Sequence, residues 1–203
     1  TADDLHAQGM RQVLAPCIDV VRDLRWGRVE ESYGEDPYLC GIFAQSEVKG
    51  YLDSGISPML KHYGPHGNPS GGLNLASVDC GLYDLHAVYL KPFEMLVKRA
   101  DLHCMMTSFN KLNGVFAGGS KELCTCILRQ EWGFDGLVVT DWGDMDIVVD
   151  GADAVAAGND VVMPGGPPVI VQILKGYEEG RVTREELQQA VSHLLSLLKR
   201  FGR

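Results

Sequence analysis

Short apolar runs alternate with longer stretches of helical periodicity along this chain. Residues 137–140 are apolar and β-branched, with Gly136 before them and Gly143 shortly after, which predicts a strand buried on both faces. Further strands are predicted at 13–21, 57–60, 102–107 and 160–163. Between them the pattern shifts to helical spacing. Gly34-Glu35-Asp36-Pro37 opens a helix to about residue 53, with the proline suited to a first turn. Leu85, Val88, Tyr89, Phe93, Leu96 and Val97 mark a helix over 82–100 that Pro92 kinks or interrupts. Ser120 caps a helix ending near Trp132-Gly133, and an alanine-rich helix covers 152–157. Two more helices finish the chain. The last begins with a Thr183/Glu186 capping box and carries Leu187, Val191, Leu194, Leu195 and Leu198 as its expected buried stripe.

Strands alternating with helices at this spacing indicate parallel βαβ units. Polar residues recur just after successive strands: Arg25 and Arg28, Lys61 and His62, Asn110, then Asp141. That recurrence marks the carboxyl face of a (β/α)8 TIM-type barrel, where ligands bind. Five strands are legible where a barrel needs eight. The expected fold class is therefore α/β, an incomplete (β/α)8 barrel lacking N-terminal strands, with residues 1–203 as one partial domain and no second domain. Asp141 either caps the next helix or serves as a reactive carboxylate. The Arg22–Arg28 segment, rich in arginine around Trp26, reads either as a surface ion-pair network or as a guanidinium-and-indole platform for sugar hydroxyls. The long glycine-rich loop 64–81 is of a length that is usually functional or disordered.

Composition narrows the partners. A formal net charge of −9, with no basic cluster, argues against nucleic acid and anionic membrane surfaces. No apolar run is long enough to span a bilayer. The first ten residues lack the charged and apolar regions of a signal peptide and look like the tail of a helix. The six cysteines contain no CxxC pair, so their spacing outlines no zinc site. Reduced thiols, with Cys17 and Cys104 as small hydrophobes in strand-like runs, favour a cytoplasmic setting.

With these residues assembled, the sequence resembles glycoside hydrolase family 3, the β-glucosidase-type family. The resemblance runs through nearly the whole chain. It is carried by Asp23-Leu24-Arg25-Trp26-Gly27-Arg28, Gly34-Glu35-Asp36-Pro37, Lys61-His62-Tyr63, Gly71-Gly72-Leu73-Asn74, Glu131-Trp132-Gly133-Phe134-Asp135-Gly136 and Thr140-Asp141-Trp142. Each piece alone is weak; in this order they are specific. The resemblance implies retaining hydrolysis of β-linked glycosides through a covalent glycosyl-enzyme, with Asp141 as nucleophile. Arg28, Lys61 and His62 match positions that hold sugar hydroxyls, and Trp142 matches the aromatic neighbour of the nucleophile. Neither metal nor organic cofactor is implied. Such chemistry needs a second acid about 5–5.5 Å from the nucleophile.

The departures are specific. Phe109 stands where the family commonly has tyrosine, so it offers no hydroxyl near the nucleophile. The family's sugar-gripping Asp and Arg that precede this segment are absent, and its acid/base Glu belongs to an α/β-sandwich domain not seen here. A second domain or chain carrying the acid/base and the missing strands is therefore an expected partner, beside a β-linked glycoside. The Asp-x-His pair that serves the N-acetylglucosaminidase branch is not present, and His66 is expected as a solvent-facing loop residue. Residues 106–163 most resemble members with a rearranged domain order. The competing readings are a non-catalytic carbohydrate-binding or structural fragment, and a Schiff-base aldolase using Lys61.

Overall fold

The computed structural model describes residues 2–143 and 149–202. Its centre is an arc of short parallel strands. β1 (Gln12–Val13) pairs with β2 (Ser57–Pro58) in register Gln12↔Ser57. Beyond Pro16, which has no amide hydrogen to give, pairing resumes through a Cys17↔Lys61 bridge, with the Ile18 amide donating to the Lys61 carbonyl at 2.7 Å. The expected strand over 13–21 is thus an interrupted one. β3 (Leu60–Tyr63) then pairs with β5 (Cys104–Thr107), and β5 with β8 (Leu137–Val139) in register Cys104↔Leu137. The expected strand at 160–163 contributes a single parallel bridge, Val139↔Val161. Among the described residues the arc does not close into a barrel.

Helices cover the arc because its strands are apolar on both faces. Leu60, Met105 and Val138 share one face and meet Ala44 and Val48 of α2 (Pro37–Asp53), Phe93 and Leu96 of α4 (Lys91–Arg99), and Leu123, Ile127 and Leu128 of α5 (Glu122–Glu131), a helix wound as a π-helix throughout. Met59, Cys104, Met106, Leu137 and Val139 share the other face and meet Leu194 and Leu197 of α8 (Arg184–Phe201). Between β8 and α8 come α6 (Gly151–Ala157) and α7 (Pro167–Glu178). A small side sheet joins β4 (Ser77–Val78), β6 (Lys111–Leu112) and β7 (Val115–Phe116), the last two turning at Asn113 and Gly114, both with positive φ. A short α1 (Ala2–Ala7) precedes the arc.

Two helical expectations change. The helix over 82–100 is three pieces: α3 (Leu82–Asp84), a wide π turn over Leu85–Tyr89, and α4. Pro92 sits in the first turn of α4, and the Leu90 amide reaches back five residues to Leu85 at 2.8 Å. In α8 the capping box forms as expected, but Val191, Leu195 and Leu198 are more than half exposed. The inward stripe is Leu187, Ala190, Leu194 and Leu197. An apolar arc this wide leaves the choice of face to the neighbours it meets. Among the described residues no helix is long and apolar enough to cross a membrane, and all six cysteines are free thiols.

Candidate active site

The polar site assembles where the strands run out at their carboxyl ends. Asp141 follows β8, and its backbone is pinned through Thr140, whose hydroxyl accepts from the Met163 amide at 2.9 Å. The carboxylate is buried. Oδ1 accepts from the Trp142 amide at 2.7 Å, whereas Oδ2 has no hydrogen-bond partner among the described residues. His62 Nε2 stands 3.6 Å from Oδ2. Burial pushes the Asp141 carboxyl up, against the lowering pull of His62, the Trp142 amide, Arg28 and Lys61. The cap of α6 is Asp150, whose side chain accepts from the Ala152 amide, so Asp141 is not the cap of that helix. Any helix start within 144–148 lies outside the described residues.

His62, at the end of β3, is buried and held from behind. Its Nδ1 lies 2.8 Å from Asp19 Oδ2, and its own amide donates to the same oxygen at 3.3 Å. Cys17 Sγ donates to that oxygen as well, at 3.0 Å. Burial alone pushes Asp19 up, but His62, His66 and the Cys17 thiol together outweigh it and bring the carboxyl below its ordinary value. Asp19 is therefore ionised, and His62 Nδ1 carries the hydrogen between them. Asp19 interrupts the apolar run 13–21, with Val20 and Val21 after it, and a lone carboxylate inside a buried stretch is the signal that marks it in the sequence.

Arg28 and Lys61 converge on a residue the motifs did not single out, Glu31. Arg28 binds it through two contacts of 2.7 and 2.9 Å, and Lys61 Nζ stands 3.9 Å from it. The Arg28 hydrogen bonds hold Glu31 below the usual carboxylate range. Both cations also act on Asp141 at longer range. Trp142 leaves about half its surface to solvent beside the carboxylate, and Phe109 is half-buried.

Two expectations are corrected. His66 is not solvent-facing but fully buried, with Nδ1 3.1 Å from Asn110 Oδ1 and its ring 5.0 Å from that of His62. Loop 64–81 folds inward at this point because Gly67 lies directly against the Val20 carbonyl, where a Cβ would stand 2.2 Å from the oxygen. Burial lowers the His66 pKa to about 4, so the ring is neutral. Of the two readings left open for Arg22–Arg28, the surface ion pair is the one present, and Trp26 as a sugar platform is the one corrected. Trp26 is buried, edge-on to His66 at 5.0 Å, while Arg25 turns outward to a bidentate pair with Asp23. Asn110, flagged at its strand end, serves as the polar tie between the two loops, donating to the Pro65 carbonyl at 3.0 Å.

A parallel βα arc carrying a buried, half-partnered carboxylate among Arg, Lys and His at its carboxyl end defines a TIM-barrel-type domain with a polar ligand site. The sequence profile described as the glycosyl hydrolase family 3 N terminal domain matches residues 1–197. The chain belongs to glycoside hydrolase family 3. Beta-glucosidase B of Emericella nidulans is 33% identical over 203 residues, covering 99% of this chain and 24% of that protein. A beta-glucosidase of Rhizobium radiobacter is 33% identical over 201 residues, 97% of this chain and 24% of its own length. The solved structure of beta-glucosidase 3B from Thermotoga neapolitana, in complex with glycerol, superposes with a TM-score of 0.89 at 31% identity, over 98% of this chain and 28% of that one. The Bifidobacterium adolescentis family 3 beta-glucosidase gives a TM-score of 0.90 at 29% identity, over 99% and 29%. This chain thus spans about a quarter of the length of the curated relatives it matches.

Proposed function

We propose that this chain is the nucleophile-bearing part of a retaining β-glycosidase acting on β-linked glucosides or close analogues. Asp141 attacks the anomeric carbon and forms the glycosyl-enzyme, which water then hydrolyses. The observation that carries this reading is Asp141 Oδ2: a buried carboxylate oxygen with no partner among the described residues, at a strand end, 3.6 Å from His62. An oxygen left free of hydrogen bonds keeps its lone pairs for a substrate carbon. Arg28, Lys61 and His62 keep the carboxylate ionised against burial and hold the hydroxyls of the sugar. Trp142 and Phe109 offer apolar edges to the ring. Phe109 brings no hydroxyl, so positioning of Asp141 falls to the Trp142 amide and His62.

The two carboxylates that share a neighbour with Asp141 are both engaged rather than free to protonate the leaving group. Glu31 is tied to Arg28, and Asp19 to His62 and Cys17. On this reading the acid/base comes from the part of the family-length polypeptide outside this chain. Loss of general acid help costs about 10²–10⁴-fold with an ordinary leaving group.

A 2-deoxy-2-fluoro-β-glucosyl fluoride carries its own leaving group and reports on the nucleophile directly. Intact mass after incubation should rise by one sugar, the xylosyl analogue serving as a second probe, and Asp141→Asn should abolish the gain. Labelling that survives in Asp141→Asn removes Asp141 from the role. Sugar binding by calorimetry without any labelling would instead favour a binding module, the reading to which the quarter-length span lends weight.

A further inference from the structure

One layer behind Asp141, three metal-ligating side chains meet. Cys17, Asp19 and His62 each offer one ligand atom, and these atoms lie within 4.8 Å of one another, all buried. Strand geometry brings them together. Cys17 and Asp19 are two apart, and Cys17 bridges to Lys61, the residue before His62. The thiol and the imidazole Nδ1 approach the same Asp19 oxygen, at 3.0 and 2.8 Å.

Two further observations point to a ligand. Asp19 Oδ1 is buried without a hydrogen-bond partner among the described residues, although Asp19 is only 1% exposed. A buried charged oxygen left so costs free energy that a cation would recover. A cavity of about 300 Å3, whose lining includes Pro16, Cys17, Glu31, Tyr33 and Lys61, lies beside one of the three residues, Cys17. On the proposal below, an ion would enter from this side, with a water as fourth ligand.

We propose that Cys17, Asp19 and His62 form a binding site for one zinc ion. A sulfur, a nitrogen and an oxygen from the protein with an open fourth position is a donor set that zinc accepts in tetrahedral geometry. Zinc–ligand bonds of about 2.0–2.3 Å put neighbouring ligands roughly 3.4 Å apart, so the two contacts to Asp19 need open by only about 0.5 Å. The Cys17 thiol gives up its proton to solvent on ligation, as a metal-bound thiol does. His62 surrenders its Nδ1 hydrogen and carries one on Nε2 instead, aimed at Asp141 Oδ2. If Asp141 is the nucleophile, as proposed above, closing that 3.6 Å gap by a few tenths of an ångström makes a hydrogen bond that occupies the free oxygen, and the zinc-loaded form is switched off. Binding itself does not depend on that reading.

The test is Co2+ titration of the whole chain, with a thiol-free reductant, followed by zinc X-ray absorption on the unmodified protein. One equivalent of Co2+ should give a near-ultraviolet thiolate-to-cobalt charge-transfer band that Zn2+ displaces. Cys17→Ser should lose the band and bind at least about 10-fold more weakly. Cys80→Ser and Cys126→Ser should keep it, with circular dichroism checking that each variant is folded. The zinc spectrum of the unmodified chain should contain one sulfur with nitrogen and oxygen neighbours. A sulfur-free shell, absence of a stoichiometric band, or a band kept in Cys17→Ser and lost in the Cys80 or Cys126 variant overturns the site. Glycosyl labelling run with and without zinc should fall at least about 10-fold on loading. A chain that never labels sinks the nucleophile reading and leaves the metal result standing.

Discussion

His66 shows how a single side chain couples the site to stability. Its pKa is about 4 in the fold against an ordinary 6.5, with burial as the main cause. The unfolded chain therefore takes up this proton at higher pH than the native one does. The stabilisation is complete above pH about 6.5, declines as pH falls towards about 4, and falls no further below that. Integrated over that window, the difference is on the order of 3 kcal/mol. His66→Gln should flatten the pH dependence of the urea midpoint between those limits, relative to the unmodified chain. Equal slopes would mean that His66 is more hydrated than the structure places it. The place of Asp141 at the end of β8 was legible in the sequence, because a carboxylate closing an apolar run is a local pattern. The burial of His66 was not. Nothing in Pro65-His66-Gly67 says that the loop turns inward; only the close approach of Gly67 to Val20 does.

Elements hold the site by a few close backbone contacts. Loop 64–81 is clamped to the segment after β1 by the Arg22 amide donating to the Gly67 carbonyl at 2.9 Å, with the Asp23 amide sharing it at 3.3 Å. Gly67 permits this because a Cβ would collide with the Val20 carbonyl. Gly67→Ala should cost more than about 2 kcal/mol and lower the Tm by roughly 4–8 °C. Trp26, packed on His66, should then show a red-shifted emission as the loop lifts. Unchanged emission and Tm would mean that the loop is not anchored there. At this scale the sequence was informative about α2 and α8, where a first-turn proline and a capping box are signals read within a few residues. It was less so for 82–100, where Pro92 predicts a break but not whether a π turn or a kink absorbs it.

Across the whole molecule, stability is graded along the arc. β5 is paired on both sides and buried at every residue, whereas among the described residues β1 is paired on one side only. Amide hydrogen exchange should find Met105 and Met106 among the slowest and Gln12 and Val13 among the fastest strand positions, by at least about 100-fold. Comparable protection would imply that something covers the β1 edge in solution, such as association with a second copy. The face of α8 with Val191, Leu195 and Leu198 is open in the same sense, and the chain spans only about a quarter of its relatives.

By itself the sequence determined the alternation of strands and helices, the parallel arrangement, the family and the carboxylate at the end of β8. All of these are written in local periodicity, caps and short ordered motifs, which neighbouring residues alone can specify. Only the tertiary structure decided which half of α8 turns inward, that Trp26 is core rather than platform, that Glu31 joins Arg28 to Lys61, and that Cys17 and Asp19 stand behind His62. Each of those depends on a partner at least three positions away and mostly on another element. Their physical cause is packing and burial, which choose among faces that the local pattern leaves equivalent.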